Sequence, residues 1–169
     1  MKPTVSIIMG STSDYPVMEK AAAFFEEMEI PFEMKALSAH RTPEEVSEFA
    51  HGAAPRGIKV IIGAAGMAAH LCGVIASMTT VPVIGVPINS TLGGMDALLA
   101  IVQMPPGIPV ATVGINGALN GAILAAQILA VNDHALGMKL TAYKENLKNK
   151  IVKANEELKG KSFKYRVES

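Results

Sequence analysis

Tryptophan is absent from this 169-residue chain and cysteine occurs once, at Cys72. A single thiol closes no intramolecular disulfide, and no Cys or His cluster with ligand spacing accompanies it, so neither a disulfide framework nor a metal is expected. A reducing, cytoplasmic setting fits that usage. An excess of either charge is lacking too, because 15 Lys and Arg balance 15 Asp and Glu. Without a surplus field or a run of Lys and Arg, nothing marks a nucleic-acid face, and an anionic ligand must be held by local groups. Gly and Pro interrupt every apolar stretch well short of the roughly 20 residues that span a bilayer. The opening MKPTVSIIMG moves straight into strand-like residues without a signal-cleavage pattern. A soluble protein with no membrane segment is expected.

Half of the chain is hydrophobic, enough for one domain with a substantial core and hardly enough for two. A single domain over residues 1–169 is expected, with its core at about 4–132 and a C-terminal helix and tail at about 133–169. Short β-branched runs alternate with longer helical patterns. Thr4 to Met9 reads as a buried strand; Asp14 then opens a helix with Val17, Ala21, Phe24, Phe25 and Met28 at helical spacing. Phe32 to Leu37 is a second strand, and Thr42-Pro43-Glu44-Glu45 offers an N-cap, a first-turn proline and a capping-box glutamate for the next helix. Lys59–Ile62 and Val83–Val86 read as strands flanking a helix from about Met67 to Met78. Asp96 to Gln103 is helical, Val110 to Ile115 is a fifth strand, and helices follow over Gly117–Val131 and from Asp133 to about Leu158. Such alternation implies an α/β fold with a parallel sheet covered on both faces.

Between Val60 and Asn132 the only charged side chain is that of Asp96, although that span holds at least three helices. Surface helices ordinarily show water a polar face. Helices this apolar belong in a large core, a membrane or a subunit interface, and only the last suits so short and interrupted a chain. An obligate homo-oligomer is expected. The plain alternative is a monomer whose Gly, Ala, Ser and Thr cover those helices.

Three segments that follow strands carry groups suited to chemistry. Gly10-Ser11-Thr12-Ser13-Asp14 offers hydroxyls and backbone N–H groups at a helix start, a place for phosphate, with Asp14 available as a cap or as an acceptor for ribose hydroxyls. It has neither the Gly-Lys-Ser/Thr ending of a Walker loop nor dinucleotide-binding glycine spacing, so ATP and NAD are disfavoured. Ser38-Ala39-His40-Arg41-Thr42-Pro43 sets a group that titrates near neutral pH beside a planar fork of donors for phosphate. The alternative is that Arg41 pairs with a surface carboxylate while His40 merely packs. Gly63 to Leu71 is lined by small residues that let backbone approach a flat ligand, and within it His70 is either structural or catalytic. His51 and His134 lie in polar helical surroundings and receive no role. The ten methionines are core filler. In a flavodoxin-like strand order of 2-1-3-4-5 the three segments converge on one crevice at the switch point, as a mononucleotide site with an acid–base group and no Ser or Cys triad.

The segments MGSTSD, SAHRTP, GAAGMAAHL and IVQMPPGIPV closely resemble the bacterial class I PurE family, the 5-(carboxyamino)imidazole ribonucleotide mutases, in the family's order from about Val5 to His134. The resemblance implies a three-layer α/β/α protomer built on a five-stranded parallel sheet, with a C-terminal helical extension and assembly as a homo-octamer. It implies an imidazole ribonucleotide substrate and no cofactor. Carried over by motif, Ser11, Ser13 and Arg41 would bind phosphate with Ser38 nearby, and Asp14 would hold the ribose. His40 would transfer the proton, while Ala65, Gly66 and Leu71 would line the base and carboxylate pocket. His70 would mark the mutases against related direct carboxylases. Thr12 stands where lysine is frequent and Cys72 where proline is common, the latter a change that could loosen the start of the third helix. A direct carboxylase of the free aminoimidazole ribonucleotide and a non-catalytic nucleotide-binding module are the rival readings.

Overall fold

A computed structural model describes residues 1–167. Its centre is β1 (Val5–Met9), the segment VSIIM, with all five residues buried. A continuous apolar strand of this kind needs cover on both faces, which is the position of an inner strand in a parallel sheet. β1 pairs in parallel with β2 (Phe32–Ala36) on one side and with β3 (Val60–Ala65) on the other; β4 (Val83–Pro87) and β5 (Ala111–Thr112) complete the order β2-β1-β3-β4-β5. This is the expected flavodoxin-like topology.

Two helical layers enclose the sheet. On one face α1 (Tyr15–Met28) and α5 (Ala118–Ala130) bury Phe24, Phe25, Ala122 and Ala126 against Ile7, Ile62 and Ile84. On the other, α2 (Pro43–Arg56), α3 (Leu71–Ser77) and α4 (Met95–Val102) bury Val46, Phe49, Ile75 and Ile101 against Ile8, Ile61 and Val83. Small residues set the closeness of the second layer. A Cβ on Gly85 would lie 2.3 Å from Ile101 Cγ2, and one on Gly63 would lie 2.8 Å from Cys72 Sγ. The C-terminal helix α6 (His134–Lys159) is capped by Asp133, whose side chain accepts from the Leu136 N–H. It packs Leu136 and Leu140 into the first layer, and Lys139 ties it to the Met28 carbonyl and the Glu29 carboxylate at the end of α1.

Four local expectations are corrected. α3 starts at Leu71 and not near Met67, because Met67 takes the left-handed φ of 55°, which no right-handed helix accommodates. β3 in turn runs on to Ala65, so the small residues Gly63 to Ala65 belong to the sheet. The fifth strand shrinks from Val110–Ile115 to Ala111–Thr112: beyond it Val113 N–H to Gly85 O, Asn116 N–H to Pro87 O and Asn89 N–H to Asn116 Oδ1 hold the edge without continuing the ladder, and Asn116 at φ 56° bends the chain into α5. The capping box at Thr42 does not form. Thr42 Oγ1 instead accepts from the Ser38 N–H at 2.9 Å and donates to the Ser38 carbonyl at 3.2 Å, which closes the His40 loop on itself. The last two residues of the expected tail lie outside the described residues.

Candidate active site

The C-terminal ends of β1 to β4 form one rim. Gly10 N–H donates to Ala64 O at 3.0 Å, Leu37 N–H to Met9 O at 2.9 Å and Ile88 N–H to Ala65 O at 2.9 Å, so the segments leaving these strands are tied together at their roots. Above the rim lies a cleft of about 410 Å³, and all ten residues singled out from the sequence line it: Ser11, Ser13, Asp14, Ser38, His40, Arg41, Ala65, Gly66, His70 and Leu71.

After β1 the chain makes a single 3₁₀ turn, Thr12–Asp14. Ser11, in extended conformation, accepts at Oγ from the Ser13 N–H at 3.2 Å and from the Ser13 hydroxyl at 2.9 Å. The two hydroxyls are thus gathered where an anion would meet the start of α1. Asp14 makes no side-chain cap, so of its two expected uses the capping one is not taken. It is 8% exposed at the cleft wall. Burial pushes its carboxyl above the ordinary 3.8, against the opposing pull of hydrogen bonds from the Ser11 backbone and the Ser13 hydroxyl.

Arg41 reaches back across the cleft rather than out to a surface carboxylate. Its Nη2 donates to the Gly10 carbonyl at 3.0 Å and its Nε to Ser38 Oγ at 3.4 Å, while its backbone N–H donates to the same Ser38 hydroxyl at 3.2 Å. One guanidinium therefore bridges the first two loops, within reach of whatever sits on the serines. His40 and His70, 30 residues apart in sequence, meet at 2.8 Å between Nε2 and Nδ1. The floor is Ala65 and Leu71, both buried, with Gly66 between them in the chain. Gly66 has a packing reason: a Cβ there would lie 3.0 Å from Ser90 Cβ and 3.4 Å from the Ile88 carbonyl.

That approach also brings Ser90 into the cleft from the loop after β4, a residue the sequence reading missed. Its signal was available: it follows a strand at the same end of the sheet, next to the switch point. Met67, Ala68 and Ala69 line the cleft as well, carried there by the left-handed turn. Cys72 does not. It is fully buried, donates to the Gly63 carbonyl at 3.3 Å, and burial pushes its thiol up to about 12, so it is no nucleophile. Among the described residues no group of three or more His, Cys, Asp or Glu is placed to hold a metal ion, and no helix is long and apolar enough to cross a membrane.

The family model for AIR carboxylase matches residues 4–150, which spans the whole sheet and every residue of the cleft. The chain belongs to the AIR carboxylase family. Among relatives in this family, the N5-carboxyaminoimidazole ribonucleotide mutase of Pyrococcus abyssi is 58% identical over 147 residues, 86% of this chain and 84% of that protein. The mutase of the same name from Bacillus subtilis is 52% identical over 161 residues, 94% of this chain and 99% of that one. The crystal structure of Treponema denticola PurE superposes with a TM-score of 0.84 at 30% identity, covering 93% of this chain and 99% of that chain. The AIR carboxylase fold thus accounts for the three-layer architecture.

Proposed function

We propose that this chain is a 5-(carboxyamino)imidazole ribonucleotide mutase of purine biosynthesis, which moves the carboxylate from the exocyclic nitrogen to the ring carbon and yields 5-amino-4-imidazolecarboxylate ribonucleotide. The observation that carries this reading is that His40 lines one cleft together with both sets of groups the reaction needs: Ser11, Ser13, Asp14, Ser38 and Arg41, which suit a ribose phosphate, and Ala65, Gly66 and Leu71, which suit a flat base. The names of the relatives support the same activity. Protonation of the carbamate nitrogen by His40 releases carbon dioxide and leaves an electron-rich ring, whose carbon recaptures that molecule; His40 then removes the ring-carbon proton. General acid–base catalysis of this kind supplies on the order of 10²–10⁴ in rate, and retention of the carbon dioxide supplies effective molarity.

Retention needs a closed pocket, and the single chain leaves His40, Arg41, Met67 and His70 exposed. The bound nucleotide and a second copy of the chain are the covers this reading requires. The exposed apolar residues Leu92, Met95, Leu99 and Val102 around α4 support a homo-oligomer, the octamer that the resemblance implies. The same reading has one α/β domain over residues 1–169, working in the cytoplasm without a cofactor. The test is turnover of substrate labelled with carbon-13 on its carboxylate in unlabelled bicarbonate. Label kept in the product supports the mutase; product formed only from free aminoimidazole ribonucleotide and buffer carbon dioxide makes the protein a direct carboxylase. No product from either favours a binding module.

A further inference from the structure

His40 and His70 leave the sheet after β2 and β3, which are not neighbours, because β1 lies between them. Their imidazoles nevertheless meet edge-on, with ring planes at 75°, centroids 4.9 Å apart and Nε2 of His40 2.8 Å from Nδ1 of His70. This is a hydrogen-bonding approach and not a stacking one. Both side chains are exposed, so neither ring is wedged in place by packing. Among the described residues the contact with His70 is also the single side-chain hydrogen bond that His40 makes. The backbone of the cleft wall sets its geometry: left-handed Met67 and the turn from Ala69 N–H to Gly66 O deliver His70, whose carbonyl accepts the first bond of α3 from Val74.

We propose that His70 is a positioning residue for His40, fixing its ring and its tautomer so that Nδ1 of His40 is the nitrogen that exchanges protons with the nucleotide. This rests on the assignment of His40 as the proton carrier. An N···N hydrogen bond holds one proton, with a lone pair opposite it. When His40 is charged, both its nitrogens carry hydrogen, so Nδ1 of His70 must accept and the hydrogen of His70 sits on Nε2. If His70 keeps that tautomer, neutral His40 retains its hydrogen on Nε2 and its basic lone pair is on Nδ1. Both protonation states of His40 then fit the same bond without a ring flip. In the forward direction the Nδ1 proton passes to the carbamate nitrogen. The N–C bond breaks with its electron pair left on nitrogen. The ring carbon bonds to the released carbon dioxide, and the hydrogen it carries returns as a proton to Nδ1. One proton leaves His40 and one comes back.

The test pairs two variants of the full chain with a spectroscopic measurement. His70→Leu removes the acceptor, whereas in His70→Asn the Oδ1 atom stands where Nδ1 stood. His70→Leu is expected to lower kcat on the order of 10²-fold while KM stays within about two-fold, and His70→Asn to recover about ten-fold of that loss. Solid-state nitrogen-15 spectra of nucleotide-free protein labelled on its histidine rings should show neutral His40 protonated at Nε2 in the wild type and as a tautomer mixture in His70→Leu. Equal kcat losses in the two variants, or a raised KM at unchanged kcat, would make His70 a group that acts on the substrate itself and would overturn the proposal. So would a His40 tautomer that is indifferent to His70→Leu. If the wild type fails to turn over the N-carboxylated nucleotide, the proposed function falls, while the spectra still decide whether His70 sets the state of His40.

Discussion

At the scale of single residues, Asp14 is the one carboxylate that lines the cleft among the described residues, and the fold gains nothing from its charge. Burial raises the pKa of Asp14 above 3.8. Between that value and the raised one the folded chain binds more protons than the unfolded chain, so stability falls as pH rises through this window and stays lowered above it. Asp14→Asn removes the charge. The variant should melt at a higher temperature than the wild type at pH 7, and the gain should vanish below the ordinary carboxylate value, where Asp14 is already neutral. Its affinity for the nucleotide should fall, since ribose hydroxyls donate more strongly to a carboxylate than to an amide. Thermal melts at the two pH values and a nucleotide titration check both halves. Glu33 lies at the other extreme of the same physics. Despite partial burial, the Ser6 hydroxyl at 2.7 Å and the Arg56 guanidinium at 2.9 Å hold its carboxyl below the usual range, so its contribution is present above that range and lost in acid.

At the scale of elements, glycines decide how near the helices of the second layer come to the sheet. Gly85 faces Ile101 of α4 and Val110, which a Cβ would approach to 2.3 and 3.0 Å. Because Ile101 is fully buried, it has nowhere to retreat. Gly85→Ala is expected to destabilise by about 1–3 kcal/mol, the usual cost of overpacking, with a lowered denaturation midpoint at unchanged cooperativity. The same variant should also lift α4 from β4 and disturb the loop that carries Ser90.

Much of this architecture was legible from periodicity. The all-buried strands β1, β3 and β4 and the apolar spacing in α1 depend on local pattern alone, and the alternation of elements implied a parallel sheet, whereas the strand order rested on the flavodoxin-like arrangement. What periodicity could not show was backbone conformation at single residues. Met67 is an ordinary helix former that the surrounding turn forces to positive φ, and Thr42 had a choice between capping α2 and closing the loop before it. The cleft followed the same division. Position after a strand pointed to the segments around Ser11, His40 and His70, and the family resemblance supplied the remaining lining residues, Ala65, Gly66 and Leu71 among them; the contact of His40 with His70, by contrast, depends on a turn at Met67, and Ser90 enters through a packing constraint at Gly66.

At the scale of the whole molecule, one chain does not cover its own apolar surface. Leu92 is 79% exposed and Val131 80%, and from Lys144 onward every described residue of α6 and the segment after it is exposed. At 1.5 Å per residue the 26-residue helix is about 39 Å long. Ile151, Val152 and Leu158 on its distal half are each more than half exposed. If the proposed homo-oligomer forms through α4 and covers the cleft, replacing Leu99 and Val102 together by Glu should yield smaller species in sedimentation velocity and lower kcat. A monomeric wild type with full activity would remove the oligomer from the reading.

The parallel sheet has one more effect. Every strand points the same way, so the helices that follow begin at the same end, and the 14-residue α1 and α2 both start beside the cleft. The molecule has no net charge, yet it has a polar axis, with partial positive charge at the end that carries the cleft. Such a field acts within about one helical turn and not across the solution. The enzyme therefore does not gather its substrate from afar: capture depends on collision, and the association rate should change little with added salt.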